Sequence, residues 1–146
     1  MGVAVMALSL LSGCALTRGC TLIGAESAVF FEFAGRVPES VTTFQARACV
    51  ADRCVDGSGR RGEPVLLTVP LHSASSEEVV TARLTVRAGS APTTAPPPAS
   101  AKPAAVVFDA SAEVMLKKRQ PNGAGCKPTV YQASVKATEA GTLVAQ

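Results

Sequence analysis

Tryptophan is missing from these 146 residues, tyrosine and histidine occur once each, and only 17% of the chain is charged. Each shortage excludes something. Without indole, and with five phenylalanines, a core must be built mostly from Val, Leu and Ala. The abundance of Val and Thr favours strands, because branched Cβ atoms pack well on a pleated surface. Few aromatics, and basic residues scattered among 11 acids at a net charge of +3, argue against a nucleic-acid binder, which needs a concentrated basic face and stacking rings. The N-terminal apolar run ends at Thr17-Arg18, short of the roughly 20 residues that span a bilayer. A nucleophile elbow G-x-S-x-G is absent. Gly57-Ser58-Gly59 lacks the Lys and helix of a phosphate-binding loop.

What is present is enough for one domain and not for two. Apolar residues make up 47%. Strands are expected at Ser27–Phe33, Val41–Val50, 53–55, Pro64–Leu71, Val79–Val86, Ala105–Phe108, Ala112–Leu116, Thr129–Ala137 and Thr142–Val144. Phe44, Ala46, Ala48 and Val50 share one face. Val80, Ala82, Leu84 and Val86 alternate with Thr81, Arg83, Thr85 and Arg87, the pattern of a half-buried antiparallel strand. Pro64–Leu71 has prolines near both ends, which suits a sheet edge. Asp56–Gly59, Pro121–Gly123 and Glu139–Gly141 read as turns. No stretch has helical periodicity. The expected fold is all-β: an antiparallel β-sandwich of about seven to nine short strands.

Residues 89–104 interrupt the pattern and hold half of the ten prolines. They read as a long Pro/Ala-rich loop inside one domain, since about 40 residues beyond them cannot form a core alone.

Leu11-Ser12-Gly13-Cys14 resembles the bacterial lipobox, an apolar residue and two small ones before a cysteine. The resemblance implies that residues 1–13 are a signal peptide cleaved before Cys14. It also implies that Cys14 carries acyl chains such as palmitate, two or three of which give stable anchoring where one does not. Residues 14–26 would be the lipidated cysteine and its tether, and 27–146 the domain. Signal peptides carry Lys or Arg ahead of the apolar stretch, and residues 1–13 carry neither, so the signal is expected to begin upstream or to be trimmed here. The alternative is an apolar first strand or helix with a buried cysteine.

Five cysteines leave an odd one in an exported protein. Lipidation of Cys14 makes the count even, and export permits disulfides. The remaining four allow three connectivities. Four residues between Cys49 and Cys54 suit a tight reversal, which pairs those two and leaves Cys20 with Cys126. A zinc site is the competing reading. It has C-x4-C instead of C-x2-C and one histidine, so no metal and no cofactor are expected.

The C-terminal block from Asn122 to Gln146 resembles the closing hairpin of immunoglobulin-like or transthyretin-like sandwiches, without the core tryptophan of antibody domains. It also resembles small secreted lipoproteins. The resemblance implies a binding or assembly module, since fold alone does not choose a function.

Candidate chemistry is thin. His72 adjoins Ser73, and Asp52, Asp56 or Asp109 would have to complete a triad. The bland reading is a loop histidine. Glu77 and Glu78, adjacent on a strand, would face opposite ways. Of Phe30 and Phe31, one ring belongs to the core and the other is expected to be buried too, with an exposed binding spot as the alternative. Lys117-Lys118-Arg119 reads as solvated charge at a loop or strand end, or as a weak contact with an anionic membrane. The sequence reading is therefore a lipid-anchored, extracytoplasmic, non-enzymatic binding or structural module of the cell envelope. Its alternatives are an accessory subunit or inhibitor of another envelope protein and, third, a small hydrolase.

Overall fold

Alternation decides where the strands lie. The computed structural model describes residues 20, 24–89 and 104–146. Cys14 and the Pro-rich residues 90–103 lie outside the described residues. Nine strands follow in order: β1 (Ala28–Phe33), β2 (Thr43–Val50), β3 (Arg53–Arg60), β4 (Val65–Pro70), β5 (Val79–Ala88), β6 (Val106–Met115), β7 (Lys117–Arg119), β8 (Val130–Ala137) and β9 (Leu143–Ala145). In β2 the side chains of Phe44, Ala46, Ala48 and Val50 are buried, and in β5 those of Ala82, Leu84 and Val86. Residues of opposite parity face water, the period-2 signature of a sheet with one solvated side.

The strands form two sheets. The first runs β4-β1-β8-β7, with β9 pairing β8 beyond β7. The second runs β3-β2-β5-β6. Their inner faces bury one cluster that includes Phe31, Phe33, Phe44, Leu84, Leu116 and Val135, so the fold is a β-sandwich. Phe33 meets Phe44 and Phe108 edge-on, with ring centroids 5.3 and 5.5 Å apart, the arrangement that aromatic quadrupoles prefer. The Pro-flanked β4 lies at an edge.

Four details depart from the sequence reading. All but one of the ladders are antiparallel; β1 pairs β8 in parallel. Asp56–Gly59 is not a turn. It is the body of β3, whose ladder to β2 runs from Arg53 to Arg60. The glycines there face inward because the first sheet comes too close for a side chain. A Cβ on Gly57 would lie 2.5 Å from Leu67 Cδ2, and one on Gly59 would lie 2.6 Å from Phe44 Cζ and overlap Val65. The two segments expected at Ala105–Phe108 and Ala112–Leu116 are one ten-residue strand, β6. The basic triplet is the short strand β7, reached when the chain leaves the second sheet, buries Leu116 completely and enters the first.

The β2–β3 reversal is a two-residue turn, Ala51-Asp52, between the paired Val50 and Arg53. Ala51 has φ +51°, a left-handed conformation that costs a residue with a Cβ about 1–2 kcal/mol. Glycine would meet this demand more cheaply.

Candidate functional site

Both expected disulfides are formed. Cys49 and Cys54 are direct partners across the β2–β3 ladder, with Cα atoms 4.1 Å apart. Cys20 bonds Cys126 at a Cα separation of 5.7 Å, across 106 residues of sequence. Closing so long a loop contributes roughly 4–5 kcal/mol in the chain-entropy view.

The second bond fixes where the chain enters the domain. Cys126 lies in the loop between β7 and β8. Nearby, Tyr131 N donates to Ser27 Oγ at 3.0 Å, and Gln132 Nε2 donates to the Glu26 carbonyl at 3.0 Å. Ala28 and Val130 have the outward parity of Phe30 and Ser134, yet both are buried and stand outside the inter-sheet cluster. Their burial needs chain above them. Cys126 and Asn122 of the 120–129 loop are buried at this end, and Asn122 Nδ2 donates to the Lys127 carbonyl at 2.7 Å. Cys126, bonded to Cys20, thus belongs with Ala28, Asn122 and Val130 to a small satellite core at one end of the first sheet.

The hydrolase candidates do not converge. His72 and Ser73 occupy an exposed turn. A shallow depression beside it is lined by Ser73, Asp52, Arg53 and Glu78, and not by His72. Asp56 faces Arg47 at 3.5 Å on the outer side of the second sheet. Asp109, on the same side, is held by Arg83, whose Nε donates to Oδ1 at 3.0 Å and whose Nη2 donates to Oδ2 at 2.7 Å. Thr85 Oγ1 adds a bond to Oδ1 at 3.2 Å. These bonds, with Arg83 foremost, hold the Asp109 carboxyl below the usual carboxylate range. Glu77 and Glu78 also serve the structure. Glu77 Oε1 accepts from the Lys118 amide at 3.0 Å, and the Glu78 carbonyl accepts from the Leu116 amide at 2.8 Å. Among the described residues no group of three or more His, Cys, Asp or Glu side chains is placed to hold a metal ion, and no helix is long and apolar enough to cross a membrane.

The structure instead draws the eye to the outer face of the first sheet. Phe31 is buried, but Phe30 turns outward and is 37% exposed, which corrects the expectation that both rings are buried. Leu66 on the neighbouring β4 is 74% exposed, and Val144 on β9 is 42% exposed. Phe30, Leu66, Thr68 and Ser134 line one shallow depression. Phe30 also borders a second, with Met115, Lys117, Arg119 and Gln132. Lys117 pairs with Gln132 and Arg119 with Val130 in the β7–β8 ladder, which puts both cations on this outer side. Glu32 on the same face is held by Lys136 at 2.8 Å. Sequence periodicity alone could not find this surface, because an FF pair does not say which ring faces in.

No protein-family model matches the chain, and no curated protein or solved structure matches it.

Proposed function

We propose that this chain is an exported lipoprotein, anchored through acyl chains on Cys14, whose β-sandwich is a non-enzymatic binding or structural module of the cell envelope. One observation carries the reading. The two disulfides use Cys20, Cys49, Cys54 and Cys126. That leaves Cys14 as the odd cysteine, and it closes the lipobox-like run Leu11-Ser12-Gly13-Cys14. Stable disulfides belong to oxidising compartments, which fits export. The Cys20–Cys126 bond brings the chain into the sandwich six residues after Cys14, the arrangement expected of a short tether. The scattered placement of His72, Ser73 and the aspartates supports a binding role over hydrolysis.

The test is to express the full chain behind a complete bacterial export signal, with and without Cys14→Ala, and to fractionate the cells. After a high-salt wash, which strips electrostatic contacts, the parent chain is expected to stay in the membrane pellet and the variant to be released. Equal retention of the two after that wash overturns the anchor.

A further inference from the structure

We infer that the outer face of the first sheet, around Phe30, Leu66, Lys117 and Arg119, is a contact surface for an anionic lipid bilayer. The inference deepens the lipoprotein reading and rests on it for the tether; the surface itself stands on other observations.

The first is composition. Exposed apolar side chains lie beside cations: Phe30, Leu66 and Val144 are exposed, and Lys117 and Arg119 share their side of the sheet. Apolar groups next to Lys and Arg are the pattern of interfacial membrane binding. The apolar part enters the headgroup boundary and the cations meet anionic headgroups. The long Lys and Arg stems reach those headgroups while their methylenes lie on apolar surface.

The second is charge. Among the described residues Lys117 and Arg119 make no ion pair, so their charge is free to attract an anionic surface. The side-chain carboxylates of this neighbourhood are Glu32, neutralised by Lys136, together with Glu26 and Glu77, and Gln146 borders both depressions. On the second sheet the cations stand among carboxylates, and Arg87 too lies close enough to Asp109 to lower its pKa. Arg47 and Arg83 are each occupied by an aspartate, and the exposed Val79 and Val106 stand at strand starts, away from the middle of the face.

The third is reach. Cys20 is bonded into the loop that joins β7 to β8. Cys14 lies six positions before it, a span of at most about 20 Å when extended. A lipid on Cys14 therefore holds the bilayer close to the edge strand that carries Lys117 and Arg119.

The experiment uses the full chain with Cys14→Ala, made without acylation, and sedimentation with vesicles. The probes are phosphatidylcholine alone and an equal mixture of phosphatidylcholine and phosphatidylglycerol. Binding is expected to the mixture and not to phosphatidylcholine alone, and to weaken as salt rises. Lys117→Gln with Arg119→Gln is expected to lower partitioning about 25-fold, roughly fivefold per cation. Phe30→Ser with Leu66→Ser is expected to lower it severalfold. Arg47→Gln with Arg87→Gln, on the other sheet, should change it less than twofold. All six substituted residues are exposed, and an unchanged thermal midpoint verifies that each variant is folded. No preference for the anionic vesicles, retention by the Lys117/Arg119 variant, or an equal loss in the control variant overturns the surface. So does capture of an envelope protein through Leu66 without any vesicle binding. Acylation is read separately, from the mass of the parent chain. If the vesicles fail, the surface falls and the anchor stands; an unmodified Cys14 with intact vesicle binding does the reverse.

Discussion

The two sheets have similar inner faces and opposite outer ones. The outer face of the second sheet is a polar ladder in which Arg47 meets Asp56 and Arg83 meets Asp109 across neighbouring strands. Such pairs satisfy themselves and give water an ordinary protein surface. The outer face of the first sheet leaves Phe30 and Leu66 in solvent and two cations without a carboxylate among the described residues. Exposed apolar residues are common singly; neighbouring ones rimmed by charge point to a contact surface. This difference between the two outer faces is what the proposed bilayer contact rests on.

The sharpest break of this comparison uses two adjacent residues. Phe31→Ala removes a buried ring and should cost about 3–5 kcal/mol. Phe30→Ala removes an outward one and should cost under about 1 kcal/mol. Denaturant unfolding of both variants checks this, and equal losses would mean that Phe30 belongs to a core. The next effect tests the place where the sheets approach each other. Gly59→Ala drives a methyl toward Phe44 and Val65 and should cost about 1–3 kcal/mol, read in the same way. Ala51→Gly should act in the opposite direction, raising stability by up to about 1 kcal/mol by relieving the positive φ at the hairpin tip.

The smallest effect concerns the polar face. Asp109 is held below its ordinary pKa by Arg83 and Thr85. A depressed carboxylate contributes stability above its unfolded pKa and loses it as pH falls through the folded value. Asp109→Asn should therefore be slightly less stable than the parent near pH 7, and the difference should vanish under acid conditions below the usual carboxylate range. High salt should shrink it too, since the pair is exposed. Thermal melts across pH check the trend.

How much of this was legible in the sequence depended on which side chains lined the core. Where apolar residues alternate with polar ones, as in β2 and β5, the period and the buried face could both be read. In β3 they could not. Its inward positions include Gly57 and Gly59, so the strand carries no hydrophobic stripe and imitates a turn. In β6 the run Asp109-Ala110-Ser111 hides continuity, because Ala110 is a small inward residue and Asp109 faces out toward Arg83. The disulfides were readable because a two-residue reversal leaves little choice of partner for Cys49. The parallel pairing of β1 with β8 leaves no local trace, since register between distant strands is set by the whole core. The outward turn of Phe30 was the least legible feature of the candidate surface. It depends on which parity β1 adopts, and both parities offer the core a phenylalanine.

The central claim is that Cys14 anchors the domain while the other four cysteines staple it. Intact mass of the mature protein recovered from membranes, before and after reduction, tests it directly. The account predicts a chain that begins at Cys14, carries two or three acyl groups there and gains four hydrogens on reduction. A chain whose Cys14 bears no acyl group, or one that contains residues upstream of it, would contradict the account.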